Sequence, residues 1–165
     1  MTEESTIALG GELARAFEDH HALIFRTAYR ITGNAADAED VLQTIFLRLL
    51  RRDGRDRMED QKSYLRRAAV NASLDLVRSR REEQAVDLAG IPSDAKDHDG
   101  GELKAAFGRA LGRLTPRSAE VFALRFFEGF SNQEIAGMLG MSRVLVAVIV
   151  HRARRQLQHD LGDYR

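Results

Sequence analysis

Two groups of side chains in this sequence are of the types that bind nucleic-acid phosphates. The first lies close to the C-terminal end and consists of Ser142, Arg143, His151, Arg152, Arg154 and Arg155. Arginine is permanently charged, and its planar guanidinium donates several hydrogen bonds in a geometry that suits phosphate oxygens. We therefore predict that this stretch contacts the backbone of a DNA duplex.

The second group lies in the middle of the chain. Arg67, Asn71 and Arg78 fall on one predicted helix face, and Arg80 and Arg81 extend it. Arginines neutralise phosphates and asparagine makes paired hydrogen bonds to a base, so this face could hold a strand of DNA. A charge-rich solvated helix explains the same residues equally well, and both interpretations stay open at this point.

The last third of the sequence carries the start signals of a helix-turn-helix, which would position the first group. Thr115 caps a helix that has Pro116 at its first position. Ser131 caps the next helix and forms a capping box with Glu134. Gly140 makes the turn into a third helix, which in this motif enters a major groove. An ordinary three-helix bundle is the alternative interpretation.

The third helix of this motif is predicted to have an apolar outer face. Ser142 caps it, and its inward positions are Val146, Val150, Ala153 and Leu157. That assignment leaves Val144, Leu145 and Val148 pointing outward within the run VLVAVIV. Aliphatic side chains contact a thymine methyl but cannot make the paired hydrogen bonds that distinguish bases. The alternative is a shifted helix register that buries the run.

Three further helices are predicted in the first half of the chain. The first runs from Leu13 to Ile31, with Phe17 among its inward residues. Asn34 caps the second, and the third runs from about Ser63 to Arg81. The face of the second helix opposite its core stripe carries Asp40, Gln43, Thr44, Leu47 and Arg51. Polar groups around an apolar centre suit a protein partner, and also a plain solvated surface.

Composition narrows the class of protein. The 165 residues include two prolines and no cysteine, and no segment alternates apolar and polar residues as a half-buried strand does. The sequence has no glycine-rich phosphate loop, metalloprotease motif or nucleophile motif, so we expect no enzyme, no metal site and no cofactor. No apolar run has the length of a membrane span, so we expect no membrane association and a cytoplasmic location.

Charge is distributed unevenly although the formal net charge is zero. Residues 103–165 contain ten Lys or Arg against five Asp or Glu, whereas residues 84–102 contain one against five. The acidic stretch also holds Pro92 and several glycines, which is typical of a linker. We predict an all-α protein with a helical domain at 1–83, a flexible acidic linker at 84–102 and a helix-turn-helix domain at 103–165.

Two motif sets together resemble a known family. NAADAEDVLQTIFLRLLRR followed by SYLRRAAVNASLDLVRSRR is similar to region two of the extracytoplasmic-function (ECF) sigma factors. LTPRSAEVFALRFFEGFSNQEIAGMLGMS with HRARRQL is similar to their region four. The resemblance covers nearly the whole chain outside the linker and the first dozen residues. It implies a dissociable, non-enzymatic initiation subunit whose partners are core RNA polymerase and promoter DNA.

The resemblance also assigns roles to residues. It implies core polymerase binding by Asp40, Gln43, Phe46 and Leu47. It implies capture of the non-template minus-ten strand by the loop that begins near Arg55 and by Lys62, Tyr64, Arg67, Asn71, Arg78, Arg80 and Arg81. The chain has no tryptophan, so Tyr64 and the loop must supply any stacking on a base taken out of the duplex.

The chain departs from the family pattern at the third helix of the C-terminal domain. Polar residues usually read the minus-thirty-five element there, whereas this chain has the apolar run. We expect either upstream DNA binding with weak base specificity or docking of a protein on Val144, Leu145 and Val148. That protein would be a second copy, an anti-sigma factor or a recruiting factor. The competing functional interpretation is a sigma-like adaptor that binds polymerase or another protein without reading duplex DNA.

Overall fold

The computed structural model describes residues 3–51, 61–87 and 100–162, and all regular elements in these ranges are α-helices, which confirms the all-α prediction. They are α1 (Glu3–Thr32), α2 (Ala35–Arg51), α3 (Gln61–Asp87), α4 (Gly100–Arg113), α5 (Pro116–Phe126), α6 (Asn132–Leu139) and α7 (Arg143–Gly162).

The first three helices pack around an apolar core. Ile24 of α1, Ile45 of α2 and Leu65 of α3 are almost completely buried in it. Gly33 ends α1 with a positive φ of 77°, a conformation that glycine adopts without strain. The predicted cap of α2 is confirmed, because the Asp37 amide donates to Asn34 Oδ1 at 2.8 Å.

Several predicted bounds in this half were wrong. α1 begins at Glu3 rather than Leu13, and α3 ends at Asp87 rather than Arg81. Residues 82–85 are good helix formers, and residues 82–87 include no glycine or proline, so α3 has no local reason to stop at Arg81. Phe17 is not fully inward: 43% of it is exposed, and its ring lies at the edge of the core against Phe46, with centroids 4.9 Å apart.

The helix-turn-helix start signals are confirmed. The Thr115 and Ser142 hydroxyls accept from the Ser118 and Leu145 amides, at 3.3 and 3.1 Å. The capping box at Ser131 is complete, and hydrogen bonds from the Ser131 amide and then its hydroxyl hold the pKa of Glu134 below its ordinary value. Gly140 has the left-handed conformation with φ 63°.

One helix of this half, α4, was not predicted. The Gly100–Gly101 pair suggested a linker, but α4 includes both glycines, and Ala106, Ala110 and Leu111 are buried at helical spacing. A search for that periodicity across the assumed domain boundary would have found the helix.

The two halves are packed against each other. Ile31, Val70 and Leu74 from α1 and α3 belong to the same buried cluster as Leu111 and Val121 from α4 and α5. The division into 1–83, 84–102 and 103–165 stays a prediction, because α3 and α4 extend into the assumed linker and residues 88–99 lie outside the described ranges.

Among the described residues, no single helix is long and apolar enough to cross a bilayer. The pair α6 and α7, bent by 110°, passes a test of length and composition only. Three of its apolar residues, Ile135, Val146 and Leu157, are buried in the protein core, whereas Val144, Leu145 and Val148 are exposed.

Candidate nucleic-acid interface

The outer face of α2 is an exposed mixture of polar and apolar side chains. Asp40 and Gln43 are exposed, and 54% of Leu47 is exposed one turn after Gln43 on the same face, as the helical pattern predicted. Leu50, one turn further on, is also exposed and was missed. Phe46 differs from the other three predicted binding residues, because its ring is buried in the core of the protein and supports this face from beneath.

The start of α3 carries two of the predicted strand-binding residues. Lys62 is exposed at the first turn, and Tyr64 is half-buried against the core of the first three helices. The preceding loop, including Arg55, lies outside the described residues. Lys62 therefore lies at the N-terminal end of the predicted α3 face, and Tyr64 also contributes to packing.

Arg67 and Asn71 are not on a free outer face, which corrects the prediction. Both donate to one oxygen of Glu120 on α5, Arg67 Nε at 2.6 Å and Asn71 Nδ2 at 2.9 Å from Oε1. The reason is a tertiary contact. α5 packs along α3 and covers the side of α3 that the helical pattern predicted to face solvent or DNA. Glu120 was missed, because its partners are about fifty positions away in the sequence.

The remaining basic residues of α3 are engaged within the protein. Arg78 pairs with Asp75 one turn earlier, Nη1 to Oδ1, at 3.2 Å. Arg80 binds the carboxylate of Asp37, which is buried at the start of α2. Arg81 Nη1 donates to the carbonyl of Gly112 on α4 at 3.0 Å. Arg80 and Arg81 thus hold helices together in this structure, a role that the sequence did not reveal.

The outer face of α7 matches its prediction. Val144 is 73% exposed, and Leu145 and Val148 are also exposed, while Val146 is completely buried. A shifted register that buries the apolar run is therefore wrong. Ser142, Arg143, His151, Arg152, Arg154 and Arg155 are all exposed. Arg143, His151 and Arg152 line the same shallow groove as Val144, Ala147 and Val148, so the apolar patch has a basic rim.

The side chains of these faces have the chemistry of macromolecular recognition. Within the described ranges, no group of three or more His, Asp or Glu side chains is placed to hold a metal ion. Exposed arginines on one helix and an exposed leucine among polar groups on another are typical of contacts with phosphates and with a protein.

Comparison with known proteins agrees with this arrangement. Residues 16–83, covering most of α1 to α3, match the family model for sigma-70 region 2, and residues 104–157 match that for sigma-70 region 4. The RNA polymerase sigma-E factor of Streptomyces coelicolor is 34% identical over 145 residues, covering 84% of this chain and 79% of the relative. The chain belongs to the ECF sigma factors of the sigma-70 family.

Other relatives are consistent with this membership. The ECF sigma factor SigE of Mycolicibacterium smegmatis is 32% identical over 162 residues; the alignment covers 93% of this chain and 62% of that longer protein. SigL of Mycobacterium tuberculosis is 31% identical over 157 residues, with coverages of 89% and 87%. This sigma factor thus belongs to a family of initiation factors, which are in general not enzymes.

A solved structure has the same fold. The sigma factor RpoE of Bartonella quintana, determined in complex with the anti-sigma factor NepR, superposes with a TM-score of 0.54 at 23% identity, covering 93% of this chain and 99% of the other. The shared arrangement of helices supports the two-region architecture of this sigma factor.

Proposed function

We propose that this sigma factor acts in the cytoplasm as a promoter-recognition subunit of RNA polymerase, with one function on each of three helices. The α2 face binds core polymerase, the α3 face captures the minus-ten strand, and α7 contacts upstream DNA. The observation that carries the proposal is that both sigma regions occur in family order, each with an exposed face of suitable chemistry.

The α2 face suits a protein partner because its apolar centre is accessible and its surroundings are polar. Leu47 is more than half exposed, and Asp40 and Gln43 beside it can satisfy polar groups of the partner. Buried anchors surrounded by polar contacts carry most of the energy of a typical interface. We assign Leu47 as the anchor, with Phe46 holding it in position from the core.

The α3 face suits a single strand because it combines cations with an amide. Lys62, Arg67 and Arg78 would neutralise phosphates, and Asn71 would make paired hydrogen bonds to a base. Tyr64 would supply a ring for stacking. Arg80 and Arg81 stand at the end of the face, and their additional bonds to Asp37 and Gly112 fix its orientation.

The α7 face suits phosphate contacts better than base readout. Arg143, Arg152, Arg154 and Arg155 are exposed around an aliphatic centre that has few groups to distinguish bases. We propose that it holds upstream DNA with little base specificity. The exposure of Val144 favours protein docking on the same patch as a second function, and an anti-sigma factor is the partner class suggested by the Bartonella complex.

Transcription from purified core polymerase tests the overall function. Core supplemented with this chain should give a defined start site on a cognate promoter, and core alone should not. A chain that binds core but never produces a defined start would instead be the sigma-like adaptor.

Leu47→Asp should weaken binding to core polymerase by about 2 kcal/mol or more, because it places a charge in an apolar anchor site. Titration calorimetry or a quantitative pull-down measures the affinity. Leu103→Asp is the matched control, since Leu103 is equally exposed but lies on α4. Equal effects of the two substitutions would contradict the assignment.

Arg67→Ala and Arg78→Ala should weaken binding of the polymerase complex to minus-ten DNA and flatten its salt dependence by roughly one phosphate each. Asn71→Ala should instead relax sequence preference. Arg26→Ala, an exposed arginine on α1, is the control. Promoter opening that survives all three changes would leave the α3 face without a role in strand capture.

Promoter activity across a randomised minus-thirty-five element should show a shallow preference, because α7 presents aliphatic side chains where base-reading groups would stand. A sharply defined consensus would refute weak readout.

Val148→Lys should abolish any protein interaction that depends on the apolar patch of α7, because it places a charge on aliphatic surface. The measurement is the affinity for a candidate anti-sigma protein.

A further inference from the structure

We propose that the cavity where α1, α2, α3 and α4 meet is a binding site for a small molecule with two linked phosphates. We call this space the junction cavity. It has a volume of about 280 Å³, and its lining residues come from the end of α1, the start of α2, the second half of α3 and α4 between Gly101 and Arg109. The proposal goes beyond the polymerase and DNA contacts proposed above and does not depend on them.

Most of the charged side chains in the junction cavity are cations. Five basic residues from three helices line it, namely Arg30, Arg80, Arg81, Lys104 and Arg109. Among the described residues, Asp37 is the one acidic residue in the lining. Like charges gathered around a partly enclosed space repel one another, and a ligand with several negative charges relieves that repulsion. The charge of the lining therefore favours an anion of two or more charges.

Arg81 and Lys104 are the cations best placed to bind this anion. Arg81 Nη1 donates to the carbonyl of Gly112 at 3.0 Å, and Lys104 Nζ donates to the carbonyl of Gly33. A carbonyl accepts a hydrogen bond but has no net charge, so these bonds leave both cations without a compensating anion. Their remaining N–H groups can donate charge-assisted hydrogen bonds to phosphate oxygens.

The carboxylate of Asp37 already has a donor at each oxygen. Asp37 is 2% exposed; its Oδ1 accepts from Arg80, and its Oδ2 accepts from Asn34 Nδ2 at 2.6 Å. It therefore orients Arg80 and is poorly suited to bind a cationic ligand. Arg30 lies 3.6 Å from a carboxylate oxygen of Glu128. These two carboxylates thus offset two of the five cations of the cavity.

The start of α4 adds backbone donors to the side-chain cations. Gly101 lines the junction cavity and lies in the first turn of this helix, whose amides have no acceptor within the helix. The partial positive charge at a helix N-terminus favours an anion. This contribution supports the same ligand class as the five basic side chains, on which the proposal rests.

An aromatic ring beside the cavity suits the remainder of a nucleotide. Lys104 Nζ lies 5.8 Å from the ring centroid of Tyr29, and 46% of Tyr29 is exposed. The ring of Phe25 stacks near it, with centroids 6.2 Å apart. A volume of about 280 Å³ is below the ~300–1,000 Å³ typical of sites that enclose a whole ligand. We therefore assign two phosphates to the cavity and a nucleobase to the exposed ring of Tyr29.

Titration calorimetry of the full chain at low ionic strength tests the site, with ADP, AMP and inorganic pyrophosphate as probes. ADP should bind at least about fivefold more tightly than AMP, because its second phosphate accepts further charge-assisted hydrogen bonds. Lys104→Met should weaken ADP binding about tenfold, because it removes a cation and nearly keeps the length of the side chain. Arg113→Met is the matched control, since Arg113 is exposed on the same helix but does not line the cavity.

Tyr29→Leu distinguishes the two sources of a diphosphate group. A nucleotide site should lose about fivefold in ADP affinity and keep its pyrophosphate affinity, because only the nucleobase stacks on the ring. Equal affinities for ADP and pyrophosphate that Tyr29→Leu leaves unchanged would assign the site to free pyrophosphate. Either result supports a diphosphate site and identifies its source.

Failure of both ADP and pyrophosphate to bind at millimolar concentration would overturn the proposal. Equal weakening by Lys104→Met and Arg113→Met would also overturn it, because the attraction would then be to overall charge rather than to this cavity. A thermal melt provides a second measurement, since a ligand that binds the folded chain raises its Tm. ADP should raise the Tm of the unmodified chain more than that of Lys104→Met, and an unchanged Tm of the unmodified chain would contradict the site.

Discussion

The packing of α3 joins the two halves of the structure. This helix contacts α1 and α2 on one side and α4 and α5 on the other. Leu65 and Ala69 belong to the first core, whereas Val70 and Leu74 belong to the second. A helix with two buried sides has only a narrow face left for ligands, so its polar residues must serve structure and binding together.

Electrostatics across this helix explains why a chain of zero net charge can bind DNA. Residues 103–165 are basic overall, yet Glu120 and Glu128 within them are turned toward arginines of α1 and α3. The exposed arginines of α7 are therefore left to dominate the outer surface of that part of the chain. Because these acids are buried and the arginines are exposed, the surface has a local positive field that the zero net charge does not reveal.

The apolar outer face of α7 and the half-exposed Leu47 of α2 are alike in one respect. Each exposes aliphatic side chains to water. Covering them with another macromolecule would be favourable, because apolar surface would be removed from water. They differ in their rims, which are basic on α7 and mixed on α2. The basic rim makes the α7 face suited to phosphates or an acidic partner. The mixed rim makes the α2 face suited to a protein surface that carries both charges.

The family and the helix caps could be predicted from the sequence, whereas α4 and the bounds of α1 and α3 were missed. Capping at Thr115, Ser131 and Ser142 was predictable because those hydrogen bonds join residues three apart. Helical periodicity likewise predicted the exposure of Leu47 and Val148. The partners of Arg67 and Asn71 could not be predicted, because Glu120 reaches them from about fifty positions away in the sequence. Periodicity indicates which side of a helix is polar, but it does not say whether water, DNA or a distant helix of the same chain covers that side.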